Sequence, residues 1–251
     1  MSLVQNEKQM KQTWERSFEE QIARGAYNTA PVEALARTTS YYLRDRYPDG
    51  DYSNLHFMEM GCGAGPNLIW VAEKGAKVSA IDISTQALAL CRKNLERNGF
   101  SDRIGELVEG SVDKLPFADD RFDGVFESCV FQHLDKETRV RTFSEVRRVL
   151  KPGGLFAGYM LADQHSIFVG EKDQQKADDP GTLNLQNGDS NVYLTNIGLA
   201  HFFAKDEFQE YLEGFETVDP CLTTYYLPAS EAKKRGYDEY QQAMWIVHAV
   251  K

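Results

Sequence analysis

Glu59 is followed at two-residue intervals by Gly61, Gly63 and Gly65, at the end of the apolar run Phe57-Met58-Glu59-Met60. A strand that carries a carboxylate into alternate glycines lets a flat ligand lie against the main chain, since no Cβ intervenes, and offers it a fixed negative charge. Glycine also collects in tight turns and helix caps, so this stretch alone leaves both readings open. Spacing separates two ligand classes. A dinucleotide fingerprint wants its third glycine three residues after the second, where the helix start packs against the strand, and Pro66 stands there.

The elements around this turn follow from periodicity. Met10, Trp14, Phe18 and Ile22 recur every four residues, and Val32, Leu35, Thr39 and Tyr42 repeat that spacing, which predicts two N-terminal helices. From Leu55 strands alternate with helices: strand 55–60, a helix opened by Pro66 and closed near Gly75, strand 77–81, a helix N-capped by Ser84 and stopped at Gly99, strands 105–109 and 124–128, helix 137–150, strand 155–160. That alternation predicts a parallel sheet covered on both faces, with ligands at the carboxyl ends of its strands. It stops at Leu161. A polar insertion follows in which Thr182 to Leu185 and Val192 to Thr195 are expected to pair as a hairpin, then a helix 205–212, a strand from Phe215 and a final strand 244–250. The expected divisions are a helical cap (1–54), a binding core (55–160), a lid or substrate insertion (161–204) and the C-terminal part of the core sheet (205–251).

A chain of 251 residues, 42% of them hydrophobic, can bury a large core, and its net charge of −10 disfavours polyanion partners. Cys62, Cys91, Cys129 and Cys221 are scattered, without disulfide density or a paired metal spacing. With no apolar run long enough for a bilayer and no signal-peptide core, a soluble cytoplasmic protein is expected.

Glu59 with Gly61, Gly63 and Gly65 resembles the first motif of class I S-adenosylmethionine-dependent methyltransferases, in a subgroup acting on small molecules. Three further segments resemble that family in order: Asp82 at the end of the second strand; Gly110-Ser111-Val112-Asp113-Lys114-Leu115-Pro116-Phe117 with Phe122-Asp123; and Arg148-Val149-Leu150-Lys151-Pro152-Gly153-Gly154 before the fifth strand. The resemblance implies a Rossmann-like, doubly wound α/β fold with a seven-stranded, mostly parallel sheet whose last strand is antiparallel. The implied cofactor is S-adenosyl-L-methionine, leaving as S-adenosyl-L-homocysteine. Glu59 would face its ammonium, with carbonyls at Gly61 and Glu127; Asn67 would serve its carboxylate, Asp82 its ribose diol, and Ile83 the adenine face. Cys62, Gly63, Gly65 and Ser128 complete the expected cofactor shell. Where the family commonly carries an Asp for the adenine amino group, this chain has Ser111, with the Val112 amide still available to the ring and Asp113 fitting a solvated turn.

Methyl transfer from a sulfonium neutralises charge, so holding donor and acceptor in line and excluding water matter more than a base. The family places the acceptor after the fourth strand, at Phe126-Glu127-Ser128-Cys129-Val130-Phe131-Gln132-His133, which lacks the Asn/Asp-Pro-Pro-Tyr/Phe arrangement of enzymes acting on nucleic-acid amino groups or glutamine amides. His133, His165 and His201 are the candidate catalytic residues, and Tyr27, Tyr41, Tyr159 and Tyr193 candidate pocket aromatics. Glu127, Asp163 and His165 match no metal motif, so no metal is expected. The expected activity is methylation of a small molecule roofed by the N-terminal helices and the insertion. The alternatives are a protein or RNA methyltransferase, or a non-catalytic S-adenosylmethionine-binding protein. Nothing in the sequence indicates the oligomeric state.

Overall fold

The computed structural model describes residues 3–171, 175–185 and 198–251, with side chains from Lys8 onward. Two helices, α1 (Leu3–Arg24) and α2 (Glu33–Arg46), precede the alternating region. There β1 (His56–Met60), α3 (Pro66–Glu73), β2 (Lys77–Asp82), α4 (Thr85–Arg97), β3 (Ile104–Glu109), β4 (Phe122–Ser128), α5 (Lys136–Val149) and β5 (Leu150–Leu161) follow one another. Then come α6 (Ser166–Gly170), β6 (Gln175–Lys176), β7 (Asp179–Asn184), β8 (Leu199–His201), α7 (Glu207–Tyr211), β9 (Thr217–Tyr226), α8 (Ala229–Lys234) and β10 (Gln241–Val250).

Among the described residues the main sheet has seven strands in the order β3-β2-β1-β4-β5-β10-β9. β1 pairs in parallel with both β2 and β4, and β10 runs antiparallel to β5 and β9. The chain turns outward one way from β1 and the other way from β4, so a crevice opens between the carboxyl ends of these two strands. Side chains of β1 alternate between two cores: Phe57 packs with Leu43, Leu68 and Leu95, while Met58 and Met60 pack with Val125, Phe143 and Phe156. Burial on both faces is what a parallel strand covered by helices requires.

The C-terminal half departs from the sequence expectations. β5 begins at Leu150 rather than Leu155, where it pairs in parallel with Phe122 of β4 across a register shift, and β10 at Gln241 rather than Met244, where it pairs antiparallel with β9. The helix expected at 205–212 is one short turn, α7. Thr182, Leu183 and Asn184 pair with His201, Ala200 and Leu199; the partner segment expected at 192–195 lies outside the described residues. The resulting three-stranded sheet β6-β7-β8 is held by a charge: Arg139 of α5, wholly buried, gives Nη2 to Asp179 Oδ1 and Oδ2 at 3.1 and 3.0 Å, Nε to the Tyr211 hydroxyl and Nη1 to the Leu134 carbonyl.

Candidate functional site

A cavity of about 300 Å³ lies at the carboxyl ends of β1, β2 and β4 and is closed from above by α1. Its floor is the loop after β1. Gly61, Gly63 and Gly65 all have positive φ, and a Cβ at Gly61 would stand 2.3 Å from Val130 Cγ2, so the loop and the chain after β4 approach as closely as they do only because position 61 has no side chain. Asn67, in the first turn of α3, donates from Nδ2 to Glu59 Oε1 at 2.7 Å and accepts the Val32 amide on Oδ1 at 2.9 Å. It thereby ties Glu59 to the start of α2, and Nδ2 carries a second proton at the cavity wall. Glu59 Oε2 is buried without a hydrogen-bond partner, and burial pushes this carboxyl up to about 8.

Asp82 ends β2 with Oδ2 accepting the Gly63 amide at 3.0 Å and Oδ1 the Ser84 amide at 2.9 Å. Burial raises its pKa, and the two amides pull against that rise. Each carboxylate oxygen still has a second lone-pair direction for a ligand hydroxyl. Ile83, Ser111 and Val112 line the wall beyond it. Ser111 gives its hydroxyl proton to Asp113 Oδ1 at 2.5 Å, and Asp113 Oδ2 accepts Arg141 Nη2 at 2.8 Å and Nε at 3.0 Å. Burial opposes the Asp113 charge, but these bonds outweigh it and hold the carboxyl below its ordinary range. Asp113 is thus not a solvated turn residue: it takes the only proton Ser111 has, which leaves Ser111 presenting lone pairs.

The opposite wall follows β4. Glu127 is fully buried and does not line the cavity; Oε1 accepts the Val130 and Phe131 amides at 2.6 and 3.1 Å and Oε2 the Tyr159 amide at 3.2 Å, shaping the turn that carries Ser128, Cys129 and Val130 into it. Burial pushes its carboxyl up to about 7. Cys129 holds the left-handed φ of 60°, a conformation that non-glycine residues adopt at a cost and that concentrates at functional sites. Its thiol is pushed up to about 12 by burial, so it stays protonated.

Of the three candidate histidines the structure brings only His133 to the cavity. Its Nδ1 lies 3.1 Å from the Leu199 carbonyl, which can only accept, so Nδ1 carries the proton and Nε2 the lone pair. Burial lowers its pKa to about 4, so the ring is neutral near pH 7. His165 instead caps α6, Nδ1 accepting the Ile167 amide, and His201 is tied between Thr182 Oγ1 at 2.8 Å and Glu207 Oε2 at 2.9 Å beneath the small sheet. Neither lines the cavity, nor do Tyr27, Tyr41 and Tyr159; Tyr193 lies outside the described residues. Among the described residues no three His, Cys, Asp or Glu side chains form a metal cluster, and no helix is long and apolar enough to cross a membrane. Met10, Trp14 and Phe18 of α1, read in the sequence as helix packing, form the roof. α1 thus lies over the site as expected of the N-terminal helices, with this four-residue stripe as the covering face.

The donor set suits a nucleoside with a cationic tail: a partnerless buried carboxylate oxygen, a second carboxylate with open acceptor directions, and apolar walls, in a cavity within the usual range for small ligands. Residues 58–158 match the family described as Methyltransferase domain. A sterol 24-C-methyltransferase of Gibberella zeae is 33% identical over 218 residues, 86% of this chain and 54% of that protein. A sterol 4-C-methyltransferase of Caenorhabditis elegans is 29% identical over 49% of this chain and 36% of its own length, so this chain spans about half or less of these two relatives. Among solved structures, an S-adenosylmethionine-dependent methyltransferase of Methanosarcina mazei superposes with a TM-score of 0.60 at 22% identity, covering 80% of this chain and 95% of that one. The 1,6-didemethyltoxoflavin-N1-methyltransferase of Burkholderia thailandensis, crystallised with S-adenosylhomocysteine, superposes with a TM-score of 0.62 at 16% identity, covering 100% of this chain and 91% of that one. Residues 58–158 thus form a methyltransferase domain, and the order of the sheet and these relatives are those of class I S-adenosylmethionine-dependent methyltransferases.

Proposed function

We propose that this protein methylates a small acceptor with a largely apolar body, held between α1 and the turn after β4. The observation that carries the reading is the composition of that wall: Trp14 and Phe18 on one side, Cys129, Val130 and Leu134 on the other, with neutral His133 among them. The sulfonium supplies an activated methyl group when the cofactor is bound. Glu59 Oε2 would hold the ammonium of its amino-acid tail, Asp82 would accept from the ribose hydroxyls, and Ile83, Ser111 and Val112 would enclose the base. Gly61, Cys62, Gly63 and Ser128 line the rest of the cofactor's path, Gly65 turns the loop into α3 against Cys91, and Asn67 and Glu127 act by holding Glu59 and the turn after β4 in place.

Proton transfer limits the acceptor's chemistry. His133 Nε2 already faces the donating Gln132 Nε2 at 3.4 Å, and with a pKa of about 4 it is too weak a base to ionise an alcohol. The acceptor atom is therefore one that reacts without a strong base: an electron-rich carbon, a neutral amine, or an already acidic thiol or enol. The sterol substrates in the names of two relatives agree with an apolar body. A metabolite rather than a nucleic acid, in a cytoplasmic setting, is part of this reading, supported by the net charge of −10. The test is incubation with methyl-labelled cofactor and a metabolite extract. Label in an organic-extractable small product is expected, and label confined to protein or RNA rejects the reading.

A further inference from the structure

α1 bridges the two banks of the cavity. On one bank Trp14 meets His133, ring centroids 5.5 Å apart, and Phe18 Cζ stands 3.2 Å from where a Cβ at Gly63 would be. On the other Lys11 pairs with Glu109 at the end of β3, and Glu15 reaches the start of α4. There its carboxylate takes four hydrogen bonds: Oε1 accepts the Thr85 amide at 2.9 Å and hydroxyl at 2.6 Å, Oε2 the Ser84 hydroxyl at 2.8 Å and the Gln86 amide at 3.2 Å. The first-turn amides of a helix have no carbonyl partner within it, and its N-terminal end favours negative charge. Burial works against the Glu15 charge, but the four bonds outweigh it and hold the carboxyl at about 2, so it stays ionised at any physiological pH. Ser84 links this contact to the site, for its own amide donates to Asp82 Oδ1.

We propose that Glu15 is a positioning residue for the cofactor: it fastens α1 as a lid across the cleft and, through Ser84, fixes the Asp82 carboxylate, so that cofactor and product pass only when this clasp opens. The inference rests on the S-adenosylmethionine reading of the cavity. A carboxylate that merely capped α4 would change stability and leave ligand exchange alone. One that latches a lid controls entry and exit together.

The experiment uses the full chain and S-adenosylhomocysteine, with association and dissociation followed by stopped-flow fluorescence and the amides by hydrogen exchange. In Glu15→Ala both rate constants rise, dissociation by about tenfold or more, and exchange increases in α1 and the first turn of α4 while β1 and β4 stay protected. Glu15→Gln keeps the acceptor for Thr85 but loses that for Gln86, and its rates fall between. Unchanged rates in Glu15→Ala overturn the proposal, as does a lowered melting temperature with unchanged rates. If the unaltered protein takes up no S-adenosylhomocysteine, the cofactor reading fails, and equal exchange of α1 in the two proteins then overturns the clasp as well.

Discussion

Asn67 holds one oxygen of Glu59 and leaves the other bare: Nδ2 to Oε1 is 2.7 Å, while Oε2 has no partner. Burial keeps a proton on this carboxyl up to about pH 8, far above its ordinary 4.5. In the empty protein that group favours the folded state least at high pH, because between 4.5 and 8 the unfolded chain has lost a proton the folded chain still holds. A cation placed beside Oε2 favours the charged form and expels the proton.

Cofactor affinity therefore rises with pH toward about 8 and levels off above it, by up to roughly tenfold per unit. Calorimetry in buffers of different ionisation enthalpy measures the proton released. Glu59→Gln abolishes that release, which separates it from titration of the ligand's own amine. An affinity equally pH-dependent in both proteins removes Glu59 from the ammonium site.

Ser111 has one proton, and Asp113 takes it at 2.5 Å. A purine 6-substituent meeting the Ser111 hydroxyl must supply a donor, which a 6-amino group does and a 6-oxo group does not. The unaltered protein should prefer S-adenosylhomocysteine to S-inosylhomocysteine, and Asp113→Asn should shrink that preference, since Asn can give a proton to Ser111 and turn it into a donor. Ser111→Ala should weaken adenosyl binding by about 1 kcal/mol. Titration calorimetry with the two ligands decides, and an undiminished preference in Asp113→Asn rules the relay out.

Arg139 and Asp179 form a buried pair with the guanidinium wholly enclosed. Removing one partner strands the other's charge, so Asp179→Ala should cost about 3–5 kcal/mol by urea denaturation. Arg139→Met combined with Asp179→Leu should recover much of it. A loss below about 1 kcal/mol in Asp179→Ala means that the pair does not hold the small sheet.

The sheet and its glycine turn were legible because each rests on local signals: apolar runs of strand length, helix caps at Ser84 and Pro66, glycines at 61, 63 and 65. What lay beyond the sequence was partnership at long range. Asn67 reads as a first-turn residue free to bind, and only the fold brings Val32 to its other end. Glu15 reads as one more charge on an exposed helix face until α4 is set beneath it. His165 and His201 carry a side chain that suits catalysis and capping equally, and position alone decides between them. β5 and β10 outran their apolar markers because β4 pairs with β5 as far back as Leu150 and β9 pairs with β10 as far back as Gln241.

α1 is synthesised before every surface it covers. The surfaces its Met10, Trp14 and Phe18 cover are built from residues as late as His133 and Leu134, so synthesis must run about 110 residues past α1 before the stripe can be buried. Until then an amphipathic helix with a tryptophan and a phenylalanine on one face stands open beside the ribosome, a natural handle for a holdase. The order of synthesis also means that the nucleoside crevice between β1 and β4 is finished before its cover arrives.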